Sequence, residues 1–168
     1  MPLRLSEDVG AAPGDVMAFD VITGELAWSF HTLPRPGEPG IETWGDPNIS
    51  ESPIVGAANN WAGMALDQKR EILYVPTGSA APDFYGALRP GKNLYSNCLL
   101  ALNANTGKLL WHYQFIHHDL WDRDPPAPPN LITVKHEGKK IAAVAQVTKQ
   151  GYVFVFNRET GQPLFDIK

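Results

Sequence analysis

The segment Ala18-Phe19-Asp20-Val21-Ile22-Thr23-Gly24-Glu25-Leu26-Ala27-Trp28 returns as Ala101-Leu102-Asn103-Ala104-Asn105-Thr106-Gly107-Lys108-Leu109-Leu110-Trp111. A weaker third copy, Val155-Phe156-Asn157-Arg158-Glu159-Thr160-Gly161-Gln162-Pro163-Leu164-Phe165, puts Phe165 where the others have Trp. Each copy reads as a β-hairpin. Asp or Asn caps the turn, Gly takes the positive φ that the reversal requires, and the flanking residues alternate with the period of two that a strand imposes. Such a repeat constrains the fold strongly, because a unit that cannot bury its apolar face alone must stack on copies of itself.

The rest of the chain fits the same reading. Fifteen Gly and fifteen Pro in 168 residues punctuate strand-like runs, and no long stretch has period 3.6, so the expected class is all-β. Strands are expected at 62–66, 72–77, 97–103 and 109–115, then at 131–134, 140–147 and 152–157, with a short last one near Leu164. The chain is therefore read as one partial propeller domain, residues 1–168, of about two and a half four-stranded blades: an incomplete blade over 1–30, a blade over 57–115 and a blade over 131–168. An open stack leaves two end sheets without neighbours, so the remaining blades of a longer protein are expected partners.

Three irregular segments interrupt the strands. His31 to Gly56 holds five prolines and reads as an ordered surface loop, and Ser79 to Ser96 carries Asp83, Arg89, Lys92 and Asn93. The third starts where the strand ending at Phe115 runs into His117-His118-Asp119-Leu120-Trp121-Asp122-Arg123-Asp124-Pro125-Pro126, a loop whose prolines forbid a ladder and whose acids are too many for packing alone. A net charge of -4 with scattered Lys and Arg gives no basic stripe for nucleic acid. No apolar run approaches the roughly 18 residues of a spanning helix, and no export signal is visible. Cys98, the single cysteine, excludes an internal disulfide and reads as a buried apolar residue. Asp119-x-x-Asp122-x-Asp124 lacks EF-hand spacing. His117 and His118, adjacent on extended backbone, point to opposite faces and do not share an ion easily, so at least one reads as a structural or substrate-pocket residue.

The Thr-Gly-x-x-x-Trp hairpins and the His-His-Asp-Leu-Trp-Asp segment resemble the quinoprotein dehydrogenases, eight-bladed propellers that hold pyrroloquinoline quinone (PQQ), and most of all their membrane-bound glucose dehydrogenase branch. The resemblance extends through Asn60-Trp61, Tyr74-Val75-Pro76-Thr77-Gly78 and Thr148-Lys149-Gln150-Gly151, covering nearly the whole chain. It implies that Asp122 is the catalytic base, that Lys149 faces the quinone oxygens and that Trp61 lies flat beneath the quinone. It also implies a Ca2+ or Mg2+ ion with Glu7 as a ligand and Asp122 completing the coordination. One branch of the family has an Asn where this chain has Ser79, which puts a second side-chain ligand in doubt. Trp28 and Trp111 are expected to be structural, packing between blades.

The function implied is oxidation of a sugar or alcohol hydroxyl by hydride transfer to PQQ, with electrons passed to ubiquinone or a cytochrome. The implied location is the periplasm or the periplasmic face of the inner membrane. The alternative is a non-catalytic propeller scaffold that binds proteins in the bacterial envelope. Such a scaffold needs the hairpins but not Asp122, Lys149 and Trp61 together. Because the family pocket draws on blades around the whole ring, the chain alone is expected to be inactive and to bind PQQ weakly or not at all.

Overall fold

A computed structural model describes residues 8–167. Strands β1 (Val16–Phe19) and β2 (Leu26–Phe30) form the first hairpin. β3 (Gly56–Ala57) pairs with β6 (Ala80–Ala81) in a small ladder of its own. β4 (Ala65–Asp67), β5 (Ile72–Pro76), β7 (Cys98–Asn103) and β8 (Leu109–Gln114) make a four-stranded antiparallel sheet in the order β4-β5-β7-β8. β9 (Asn130–His136), β10 (Lys139–Val147) and β11 (Val153–Asn157) make a three-stranded sheet with β10 in the middle.

The chain is all-β, and the strands lie close to the expected places with two departures. β4 starts at Ala65, three residues later than expected, because Gly63 turns to φ 90 and ends any extended run before it. The last strand, expected near Leu164, is reduced to an isolated bridge between Phe156 and Pro163 and one further bond from Leu164 N–H to the Val155 carbonyl at 2.9 Å. Pro163 has no N–H to donate to a ladder.

β7 explains how the sheets stack. Its run Cys98-Leu99-Leu100-Ala101-Leu102 is fully buried along its whole length, which requires cover on both faces of the sheet. Cys98, Leu100 and Leu102 join Val16, Trp28 and Phe30 of the first hairpin in one apolar cluster. Leu99 and Ala101 join Val144 and Phe156 of the three-stranded sheet, together with Trp111, in another. The four-stranded sheet is therefore the middle layer of a three-sheet stack.

The repeated hairpin sets the joint between layers. In all three copies an Asx side chain accepts the same pair of backbone N–H bonds: Asp20 from Ile22 and Thr23, Asn103 from Asn105 and Thr106, Asn157 from Glu159 and Thr160. Each turn closes on a left-handed glycine, with φ of 74 at Gly24, 71 at Gly107 and 70 at Gly161. The Trp28 indole lies against Gly107 and donates its Nε1–H to the Ala104 carbonyl at 3.0 Å; Trp111 lies against Gly161 and donates to the Arg158 carbonyl at 2.9 Å. Each tryptophan thus docks on the Thr-Gly turn of the next copy, the structural role expected for both.

A Cβ at Gly107 would sit 2.5 Å from the Trp28 ring, whereas one at Gly138, also left-handed at φ 78, meets nothing within 4 Å. Gly107→Ala is expected to cost about 3 kcal/mol, combining left-handed strain with a displaced indole, and Gly138→Ala only about 1 kcal/mol from strain. Urea midpoints of the two variants check this, and equal costs would refute the docking argument.

The loop between β2 and β3 has its own core, in which Leu33, Trp44, Ile49 and Val55 pack with Ala58 and Ala80. Two short 3-10 turns, Ile41–Thr43 and Ile49–Glu51, shape it. Trp44 Nε1–H donates to the Leu94 carbonyl, and Leu94 N–H donates to Thr43 Oγ1 at 2.9 Å, tying this loop to the one between β6 and β7.

Candidate active site

The acid-rich loop after β8 is mounted on one buried carboxylate. Asp119, 2% exposed, accepts hydrogen bonds from Ser79 Oγ at 2.8 Å, Asn97 Nδ2 at 2.9 Å, Trp121 N–H at 3.0 Å and Arg123 N–H at 2.6 Å. Four donors satisfy a charge that would be costly to bury alone. The buried Arg89 guanidinium braces the same loop from behind, donating to the carbonyls of Pro82, Asp83 and Asp119 and to Asn93 Oδ1.

Two of the N–H groups held by Asp119 flank Asp122, and Asp122 itself adopts a left-handed φ of 52. That conformation carries strain for a residue with a side chain, and it persists because its neighbours hold it. The result is a fixed direction for the Asp122 carboxylate.

Lys149 arrives from the turn between β10 and β11, which closes through Gly151 N–H to the Thr148 carbonyl at 3.0 Å and Thr148 N–H to the Tyr152 carbonyl at 3.0 Å. Its ammonium lies 2.7 Å from Asp122 Oδ1 and 2.6 Å from Asp124 Oδ1. Trp61 comes from the loop before β4, anchored by Asn60 Nδ2–H bonds to the carbonyls of Gly63 at 3.0 Å and Pro76 at 2.7 Å. The Lys149 ammonium is 5.3 Å from the Trp61 ring centroid, and the indole is 51% exposed. Asp122, Lys149 and Trp61, from three separate segments, therefore converge.

Asp124 is the member of this group that sequence reasoning missed. Its Oδ2 accepts the Trp61 Nε1–H at 2.6 Å while its Oδ1 pairs with Lys149, and the residue is 2% exposed. The available signal was its place two residues after Asp122 in the same acid-rich loop; with Asp122 at a left-handed φ, strand alternation could not have shown that the two carboxylates meet one ammonium. Burial raises the Asp124 carboxyl above its ordinary value, against the opposing pull of Lys149 and Trp61. Burial works the other way on the Lys149 ammonium, but its bonds to Asp122 and Asp124 outweigh this and raise it. Asp83 nearby is also raised, mainly by burial and in smaller part by the Asp122 charge.

His117 and His118 separate as expected. His118, at a left-handed φ of 51, holds the Gly91 carbonyl at 2.8 Å through Nδ1, while His117 is exposed and lines a surface groove with Lys92 and Gln114. Cys98 is fully buried, and burial raises its thiol well above the ordinary value. Glu7, expected with Asp122 as a metal ligand, lies outside the described residues. Ser79 spends its hydroxyl on Asp119. Among the described residues no group of three His, Cys, Asp or Glu side chains converges on a point that would hold an ion.

The family model of PQQ-type glucose/ethanol/alcohol dehydrogenases, β-propeller domain, matches residues 4–168. The chain belongs to the PQQ-dependent quinoprotein dehydrogenases. This quinoprotein chain is 41% identical over 161 residues to quinoprotein glucose dehydrogenase A of Acinetobacter calcoaceticus, a match covering 92% of the chain and 19% of that protein. It is 40% identical over 154 residues to the quinoprotein glucose dehydrogenase of Escherichia coli (strain K12), covering 89% of the chain and 18% of that protein. Quinohemoprotein alcohol dehydrogenase ADHIIG from Pseudomonas putida HK5 superposes with a TM-score of 0.79 at 30% identity, covering 95% of the chain and 24% of the solved one. The chain thus spans about a fifth of the length of these relatives, and its fold is that of a partial quinoprotein propeller.

Membership in this family implies PQQ and a divalent metal. The described residues suit the first: a half-exposed indole with a cation 5.3 Å from its ring centroid offers stacking and charge to a flat, anionic ring. They do not assemble a site for the second.

Proposed function

We propose that this chain supplies part of the active site of a PQQ-dependent dehydrogenase that oxidises a hydroxyl of a sugar, glucose first, or of an alcohol. The observation that carries the reading is the Lys149 ammonium bracketed by Asp122 and Asp124 at 2.7 and 2.6 Å beside the half-exposed indole of Trp61. Identity of about two fifths to two glucose dehydrogenases favours glucose over a simple alcohol.

PQQ, when bound, supplies the hydride acceptor. Trp61 offers one ring face as the floor on which a flat group stacks. Lys149 holds a fixed positive charge beside that floor, placed to stabilise negative charge that develops as the substrate is oxidised. Asp122 takes the substrate hydroxyl proton. Its Oδ1 is held by Lys149, so Oδ2 is the atom assigned to receive the proton. The reading extends to electron transfer to ubiquinone or a cytochrome, and to an enzyme in the periplasm or on the periplasmic face of the inner membrane. Among the described residues no helix is long and apolar enough to cross a membrane.

The test is reconstitution of the full-length protein with PQQ and Ca2+ or Mg2+, following reduction of an artificial dye with glucose and with ethanol. Glucose-dependent reduction exceeding the ethanol rate at equal concentration is expected. A folded propeller that reduces dye with no sugar or alcohol would instead indicate a protein-binding scaffold.

A further inference from the structure

We propose that Asp124 is a positioning residue for this site, a clamp that fixes the Trp61 indole plane and the Lys149 ammonium to one another. The inference rests on reading Trp61 and Lys149 as cofactor-binding groups.

The two oxygens of Asp124 are divided between the two partners. Oδ2 accepts the indole Nε1–H at 2.6 Å and Oδ1 pairs with the ammonium at 2.6 Å. Asp122, by comparison, meets the same ammonium through one oxygen and keeps part of its surface open. Asp124 is 2% exposed, so its end of both contacts is shielded from water. Trp61 stands 51% exposed, and its Nε1–H bond to Asp124 opposes the rotation that such an exposed ring would otherwise be free to make. Without Asp124 the ammonium would have Asp122 as its sole carboxylate partner and would shift toward it, away from the indole.

The backbone nearby leaves no slack. A Cβ added at Gly78 would lie 3.1 Å from Asp124 Oδ2 and 3.3 Å from Trp61 Cδ1. The bare glycine lets the main chain pass directly behind this hydrogen bond, and any side chain there would press on both of its ends. The three contributing segments are far apart in sequence, so a carboxylate that touches two of them is the shortest link that can set their relative position.

The experiment uses the full-length protein and measures PQQ binding by equilibrium dialysis at fixed Ca2+, together with thermal midpoints of the apoprotein. Asp124→Asn keeps an acceptor for the indole but removes the charge opposite Lys149; Trp61→Phe keeps a ring but removes the N–H. Each is expected to raise the PQQ dissociation constant about tenfold, with apoprotein midpoints close to the parent's. The double variant is expected to lose clearly less than the product of the two, because loss of either contact of Asp124 already disconnects the indole from the ammonium. A full multiplicative loss would show that Asp124 acts independently of the indole, and would overturn the clamp. If Asp124→Asn does not fold, Trp61→Phe decides alone, and parent-like PQQ affinity in that variant overturns the proposal. Trp61→Ala and Lys149→Met separate the two levels. If both bind PQQ as the parent does, the site reading itself fails. If both bind weakly while Asp124→Asn and Trp61→Phe bind normally, only the clamp fails.

Discussion

Asp122→Asn in the full-length protein is expected to lower substrate-dependent dye reduction about a thousand-fold, the magnitude of a lost general base. The substitution isolates the proton-accepting step. Asn tolerates the left-handed φ of 52 at this position better than most residues that carry a side chain, so the loop held by Asp119 should keep its path. Its amide oxygen can still accept from Lys149, and PQQ affinity should change by less than about threefold. Steady-state turnover with glucose and dialysis with PQQ check the two halves. Turnover within tenfold of the parent would assign the base to another residue.

The second large effect concerns the joint between the two larger sheets. Arg158, in the third repeated turn, donates to Asp67 Oδ2 of β4 at 2.9 Å and to the carbonyls of Ala143 and Ile132 at 3.0 Å. Its own carbonyl accepts both Tyr74 Oη–H and Trp111 Nε1–H at 2.9 Å. Asp67 is 6% exposed and also meets Arg70 at 3.2 Å. Removing one partner of a buried ion pair leaves an uncompensated charge, so Arg158→Met is expected to destabilise the protein by about 3 kcal/mol, the low end for such pairs because Arg70 remains. Burial raises the Asp67 carboxyl, but the hydrogen bonds from Arg158 and Arg70 outweigh it and hold it below its ordinary 3.8. Its contribution is therefore complete above pH 3.8 and is lost as pH falls through the lower folded value. The gap between parent and Arg158→Met, measured by urea unfolding, should be full at pH 7 and should narrow below pH 3.8. A gap that widens in acid would contradict this assignment.

The two kinds of tryptophan show what the sequence could reveal. Trp28 and Trp111 were readable because the repeat that carries them also carries the glycine on which each docks. Hairpin turns were readable for a similar reason, since Asx capping and a left-handed glycine are local devices. Trp61, Asp122 and Lys149 have no such local signature, and their convergence was expected only from resemblance to a family. Asp124, Asp119 and Arg89 escaped altogether as site-builders. Their importance comes from burial, and which polar side chains a fold buries depends on contacts between distant segments, such as Ser79 and Asn97 with Asp119. The missing last strand was legible in Pro163 once its absent N–H is weighed.

The docked tryptophans also act as gauges. Trp61 precedes the middle sheet and Lys149 belongs to the next one, so the distance that the Asp124 link has to bridge depends on how the Trp111 indole seats on Gly161. Dimensional accuracy at the charged cluster thus owes part of its origin to an apolar spacer outside it. Drift in that spacer would detune the cluster while leaving every one of its own side chains intact.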